Sequence, residues 1–223
     1  RMALAHGDRM PFEPQSLTED YELGLAIAAQ GGTSRFVRAR GEDDLLVATR
    51  AYFPSRLDHI VRQKTRWVHG IALQSWDRTG WAGGVIERWM RARDRRGPLT
   101  ALVLALGYTL LFATLVLMAA VSLGLTEPRP LTPVLKVLLV ANLAFFAWRA
   151  VCRFAFTARN YGLAEGVLAV LRIPLTNVIA IMSGRRAVNA YARTLFGRGV
   201  HWDKTPHSRH PAPLVPSAKA ARA

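Results

Sequence analysis

Three carboxylates crowd four positions, Glu19, Asp20 and Glu22 in "SLTEDYELGL" (16–25), of a chain that is otherwise strongly basic. Acidic side chains suit the first turn of a helix, where the macrodipole favours negative charge. Ser16 and Glu19 also have the Ser-x-x-Glu spacing of a capping box. The question is whether one of these carboxylates does chemistry as well. Asp20 is followed 43 positions later by "QKTRW" (63–67). Gln63, Arg66 and Trp67 are related by three- and four-residue steps and share one face of a helix. An amide, a guanidinium and an indole on one patch suit a sugar and a phosphate. The cation stabilises a departing diphosphate, and the flat indole offers a stacking platform for a pyranose ring.

The elements that must hold these groups can be read in turn. Residues 1–98 read as a mixed α/β segment. "PFEPQ" (11–15) is extended because of its two prolines, and a helix then runs through "DYELGLAIAAQ" to Gly31 and Gly32. "RFVRAR" (35–40) and "LLVATRAYF" (45–53) are β-rich around the polar turn "GEDD" (41–44). Pro54 opens a long helix reaching Arg78, with Leu57, Ile60, Val61, Val68, Ile71 and Ala72 at helical spacing on its apolar face.

Composition then points to a membrane. The 223 residues carry 30 Lys+Arg against 15 Asp+Glu, a net charge of +15, yet 51% are hydrophobic. A nucleic-acid binder spreads its charge along exposed faces, so no nucleic-acid partner is expected. Charge combined with long apolar runs is the pattern of membrane spans with cationic flanks. Residues 99–125 carry no charge over 27 positions, enough to cross a bilayer. "EPRP" (127–130) turns the chain into a second span at 131–151, with Lys136 near its start. Arginines from Arg88 to Arg96 precede the first span, and Arg149, Arg153 and Arg159 follow the second. The positive-inside rule therefore puts both outer flanks, and the α/β segment, in the cytoplasm. "LAEGVLAVLRIPLTNVIAIMSG" (163–184) is apolar but broken by Glu165, Arg172 and Pro174. It reads as an interfacial or re-entrant segment, with a third span as the other outcome. The expected division is 1–98, 99–151, 152–210 and a disordered tail at 211–223. Cys152 is the only cysteine, so no intrachain disulfide can form.

T-E-D followed by Q-x-x-R-W and a membrane hairpin resembles the membrane-embedded family 2 glycosyltransferases, a family that includes cellulose and hyaluronan synthases. "PQSLTEDYELGL", "VATRAYFP", "VRQKTRWVHGIALQSWDRTGW" and "HWDKTPH" are similar to its bacterial inner-membrane members of the phage adsorption protein B type. The resemblance covers roughly residues 10–210. It implies the C-terminal part of a GT-A type transferase domain, followed by the transmembrane hairpin. Thr18, Glu19 and Asp20 would be the catalytic motif, with Asp20 as the general base that deprotonates an acceptor hydroxyl. That hydroxyl attacks the anomeric carbon of a nucleotide-activated sugar, expected to be a UDP-sugar, with inversion. Gln63, Arg66 and Trp67 would line the acceptor and diphosphate site, and Trp202, Lys204 and Thr205 a loop covering the donor. The partners implied are the donor, a growing glycan acceptor and the lipid bilayer, with a second copy or an outer-membrane protein completing a translocation path.

One departure matters. Such enzymes carry an early Asp and a D-x-D that holds Mg or Mn ahead of T-E-D. Only 17 residues precede Thr18 here, and they contain no D-x-D. The expectation is therefore a C-terminal half with no metal ligands of its own, inactive as it stands, in a multi-pass inner-membrane polysaccharide synthase. The other expectation kept open is a non-catalytic receptor or assembly scaffold, for phage adsorption or secretion. A transporter subunit would place ionisable groups inside the spans, and the first span has none. The plainer readings assign Glu22 to the helix dipole, and Trp76, Trp81 and Trp89 to interface anchoring. They assign the arginine run to topology and anionic lipid. His201, His207 and His210 imply no ligand geometry.

Overall fold

The computed structural model describes residues 16–35, 37, 39–41, 47, 53–128 and 130–199. The expected donor-covering loop with Trp202, Lys204 and Thr205, the tail, the histidines at 201, 207 and 210, "PFEPQ" and "EDD" (42–44) lie outside the described residues. The chain divides into two compact units, Arg1–Pro98 with Met182–Ala223, and Leu99–Ile181. The division at 181/182 falls within the segment 152–210.

In the first unit, α1 (Glu19–Ala29) begins at Thr18 rather than Ser16, and the expected capping box does not form. Ser16 Oγ instead accepts from Thr18 N at 3.4 Å, a local turn that competes with a helical cap. The helix ends as expected: Gly32 N donates to Ile27 O and Gly31 N to Ala28 O, the paired bonds of a Schellman motif. Strand character is not carried by the described residues, which are nearly all helical. A single bridge at Arg40 and the bond from Val47 N to Ala39 O (3.0 Å) are what they show of the expected hairpin. Much of 35–53 lies outside them.

The long helix runs close to its expected limits, but not as one α-helix. It comprises α2 (Leu57–Trp67), a π-helical segment (Val68–Gln74) and α3 (Ser75–Thr79). In the π segment each N–H reaches five residues back. The buried pairs His69/Gln74 and Gly70/Ser75 accordingly recur at five. An α-helical reading put Val68 and Ile71 on the core face instead; the wider turn brings His69 and Gly70 there.

Next comes α4 (Val85–Arg95), opened by Glu87 Oε2 accepting from Gly84 N at 2.9 Å. Two of its arginines do more than the mainly topogenic reading expected, because Arg91 and Arg95 are buried. Arg91 Nη1 donates to Thr79 O (3.2 Å) and Gly80 O (3.4 Å), filling the open carbonyls at the end of α3. Arg95 Nη2 donates to Thr79 Oγ1 at 3.0 Å. Its guanidinium lies 4.8 Å from the Trp81 ring centroid and 5.4 Å from that of Trp76. Those two indoles meet edge to face at 5.3 Å. Trp76 and Trp81 thus hold a cation by its attraction to their π-faces, a role that interface anchoring does not describe.

In the second unit, α5 (Gly97–Ser122) and α6 (Pro133–Tyr161) each contain an 18-residue stretch, of mean hydropathy 2.3 and 1.8 respectively, and are each long and apolar enough to cross a membrane. The first stops short of residue 125 because Gly124, at φ +71, turns the chain, with Leu125 N bonding back to Ala120 O. The second begins at Pro133 behind Thr132, whose Oγ1 accepts from Leu135 N, and it runs ten residues past the expected end. Here α7 (Leu163–Leu171) folds back on α6. A Cβ at Gly166 would meet Ala158 Cβ at 2.9 Å and Phe154 Cδ2 at 3.0 Å, so only glycine allows this approach. Then α8 (Ile173–Leu195) leaves α7 at a bend of 49°, at Arg172. The polar residues of this stretch are partnered: Arg172 Nη1 with Glu165 Oε2 at 3.4 Å, and Asn177 Nδ2 with Tyr108 OH at 3.3 Å. The bent pair would make a third span if it crosses as one.

Candidate functional site

The T-E-D segment is packed directly onto the helix that carries Q-x-x-R-W. Leu17 and Thr18 are buried, and Leu17 N donates to Gln74 Oε1 at 3.0 Å. The closest approach is at Gly70, three residues after Trp67. A Cβ there would lie 2.6 Å from Thr18 Oγ1, 2.7 Å from Thr18 Cγ2 and 3.1 Å from Leu17 Cβ. Such distances leave no room for a side chain unless Thr18 shifts, so Gly70 is what lets the two motifs meet this closely.

Further contacts fix the direction of α1. Arg78 Nη1 donates to both carboxylate oxygens of Glu22 at 3.1 Å. Tyr21 OH donates to Asp94 Oδ2 at 3.3 Å. Burial first, then the Asp94 carboxylate, raises the Tyr21 phenol above its ordinary value. Glu22 is therefore a structural anchor, tied to α3 in addition to its favourable place at a helix start. Glu19 and Asp20 remain exposed on the first turn. Asp20 Oδ1 accepts from Tyr21 N at 2.9 Å, which orients the exposed carboxylate.

Gln63, Arg66, Trp67 and Gly70 form one stripe of the helix. Trp67 is 40% exposed, with Phe53 beside it at 6.3 Å between ring centroids. Gln63 Oε1 is buried without a hydrogen-bond partner among the described residues. Arg66 belongs to a second stripe as well, Arg62, Thr65, Arg66 and His69, again spaced 0, 3, 4 and 7. That stripe and Leu17 line a cavity of about 340 Å³. Its other wall is Arg186, Asn189, Ala190 and Arg193 of α8, at the same spacing. Gln63 and Trp67 do not line it, so the three residues expected to act as one patch divide: Arg66 faces the cavity and Trp67 lies on the outer side.

The two walls run parallel. Ser183 Oγ donates to Val61 O at 3.4 Å, and the His69 and Tyr191 rings meet edge to face at 6.1 Å; each pair is separated by 122 residues. Tyr191 OH donates to both oxygens of Asp77 at 2.8 Å, which ties the end of α8 to α3. Burial holds the His69 imidazole below its ordinary value of 6.5, opposed by the Asp77 carboxylate. Burial favours the neutral ring.

Arg62, Thr65, His69, Arg186, Asn189 and Arg193 were not expected at a site. Each stripe is visible in the sequence as a helical repeat, but no sequence signal says that two stripes 124 residues apart face one another. Among the described residues no three His, Cys, Asp or Glu side chains come together as a metal would require.

Residues 3–180 match the family described as Glycosyl transferase family group 2. Two curated relatives are Bacteriophage adsorption protein B of Escherichia coli (strain K12) and Bacteriophage N4 adsorption protein B of Escherichia coli O157:H7. Each is 32% identical over 225 residues, which is 92% of this chain and 30% of the relative. The chain thus spans about 30% of the length of these relatives. No solved structure matches. With the family matched over most of its length, and its two signatures packed together at Gly70, the chain belongs to glycosyl transferase family group 2.

Proposed function

We propose that this chain is the acceptor-side part of an inverting glycosyltransferase of the bacterial inner membrane. It would transfer a sugar from a nucleotide-sugar, a UDP-sugar by expectation, to a growing glycan. Asp20 is the general base: its carboxylate takes the proton of the acceptor hydroxyl as that oxygen bonds to the anomeric carbon. The bond from that carbon to the diphosphate breaks on the opposite face, so the configuration inverts. Arg66 offsets the charge of the departing diphosphate, Trp67 stacks on a sugar ring, and Gln63 hydrogen-bonds a hydroxyl. Trp202, Lys204 and Thr205 cover the donor. The α/β core of a GT-A type domain and the cytoplasmic side of the membrane belong to the same proposal. So does the need for a donor-binding half with its metal ligands, without which these residues do not turn over.

The observation that supports it best is the seating of T-E-D on the Q-x-x-R-W helix at Gly70, with Asp20 left outward at the start of α1. A general base must be held where it can reach its proton. A receptor or assembly scaffold is the second reading, favoured by the names of the relatives, which speak of bacteriophage adsorption. Incorporation of labelled sugar by membranes carrying the full-length gene product separates the two. Asp20→Ala abolishes incorporation at normal protein level if the chain catalyses transfer. Undiminished incorporation in that variant excludes Asp20 as the base, and incorporation by the wild type no greater than in membranes without the gene product leaves the scaffold.

A further inference from the structure

Helix α4 faces the wrong way for a helix surrounded by water. Val85, Ile86 and Trp89 are 85%, 79% and 70% exposed and Met90 is 42% exposed, whereas Arg91 and Arg95 on the other side are buried. At about 100° per residue, Val85, Ile86, Trp89 and Met90 fall within one arc of about 140°. The rest of the circumference is mainly polar, and its charged side chains are tied back to the protein. Glu87 Oε2 accepts from Gly84 N, and Arg88 Nε donates to Gly83 O at 3.0 Å. Arg91 and Arg95 bond Thr79 and Gly80, and Asp94 Oδ2 accepts from Tyr21 OH. A surface helix bathed by water turns its apolar stripe inward. Here the contacts that fix α4 hold that stripe outward.

The chain itself leads this face to a bilayer. Leu99, the first residue of the uncharged run, follows Arg95 by four positions, at most about 14 Å of extended chain. Because α5 is long and apolar enough to cross a membrane, the last turn of α4 is held within reach of the headgroups. A protein partner fits less well. Four side chains on one eleven-residue helix fall short of the roughly 20–30 residues that a stable interface uses on each side. We propose that α4 lies in the plane of the membrane surface, with Val85, Ile86, Trp89 and Met90 sunk into the boundary between headgroups and acyl chains. Arg93 shares that arc in the last turn and is exposed, and its long stem lets the guanidinium reach the phosphates. In place of the arginine run as the lipid contact, the structure turns Arg91 and Arg95 to the protein and leaves attachment to apolar side chains. Through Thr79 and Gly80 those two arginines also join α4 to the helix that carries Gln63, Arg66 and Trp67, which is thereby tethered to the bilayer surface. This attachment does not require Asp20 to be a base.

The test places single spin-labelled cysteines on α4 of the full-length gene product, its native cysteines replaced, in nanodiscs. One set is of phosphatidylcholine alone and the other contains phosphatidylglycerol as well. The labelled variants are Val85→Cys, Ile86→Cys, Trp89→Cys and Met90→Cys on the apolar arc, with Glu87→Cys and Asp94→Cys on the polar arc. All six positions are exposed, so the variants should fold, and thermal unfolding checks that they do. Power saturation then compares collision with oxygen, which concentrates among acyl chains, and with a nickel chelate, which stays in water. The ratio of oxygen to nickel accessibility should be higher by about fivefold or more on the apolar arc, and equally so in both kinds of nanodisc. Nickel accessibility as high on the apolar arc as on the polar arc means that water covers the face, and overturns the proposal. Exclusion of both reagents from residues 85, 86 and 89 means that protein covers it, and overturns it too. A contrast that appears only with phosphatidylglycerol returns the attachment to the arginines and overturns the apolar contact.

Discussion

Gly70→Ala is the sharpest perturbation of the account, because its effect can be worked from three distances. The new methyl would sit 2.6 Å from Thr18 Oγ1, 2.7 Å from Thr18 Cγ2 and 3.1 Å from Leu17 Cβ. Carbon contacts are comfortable at about 3.5–4.0 Å, so Thr18 must retreat by roughly 1 Å. Such overpacking costs about 1–3 kcal/mol, offset by the about 0.5–1 kcal/mol that alanine gains over glycine in a helix. The net loss is about 0–2.5 kcal/mol, centred near 1 kcal/mol, a fall of a few degrees in Tm for a chain of this size. Thr18→Ala should be close to neutral, since its buried hydroxyl makes no hydrogen bond among the described residues and does not cap α1. Truncating Thr18 removes both atoms nearest the new methyl, so the double variant should recover most of the loss. Thermal unfolding of the four proteins in detergent gives the coupling, expected at about 1 kcal/mol. Strict additivity in the double variant would refute the packing of T-E-D on this helix.

The other outcomes concern the framework. Glu22→Gln should cost about 0.5–1 kcal/mol, and Arg78→Gln should add little to it, because the two share one ion pair; a double-mutant cycle reads this directly. Arg95→Lys should destabilise by about 1–2 kcal/mol, since lysine cannot lie flat against Trp76 and Trp81 while bonding Thr79; unfolding and indole fluorescence report it. His69 is held neutral by burial, so the unfolded chain takes up its proton first as pH falls. Its contribution to stability is full above about 6.5, its ordinary value, and is lost as pH falls below that. His69→Gln should flatten that part of the stability–pH curve.

What was legible depended on how local the cause was. The long helix, the Schellman end of α1 and both apolar helices follow from spacing, glycine placement and unbroken apolar runs, all properties of neighbours in the chain. The capping box failed because Leu17 and Thr18 are claimed by Gln74 and Gly70, which no local pattern records. The π segment was invisible for the same reason: a change of one residue per turn leaves composition untouched while moving His69 and Gly70 onto the core face. Arg91 and Arg95 looked like a cationic flank because burial of an arginine requires partners 10 to 20 residues away. The proposed site divides along the same line. Thr18, Asp20 and Arg66 were found by motif, whereas Arg186, Asn189 and Arg193 matter only once α8 lies beside α2.

The central claim is that the exposed carboxylate at the start of α1 is a base rather than a binding group. Asp20→Asn keeps its size and removes the proton acceptor, so initial rates of sugar transfer by the full-length gene product test it directly. The account predicts kcat lower by about 10²–10⁴-fold, with the donor KM and the unfolding temperature nearly unchanged. A kcat within threefold of wild type, or a loss confined to KM, contradicts it.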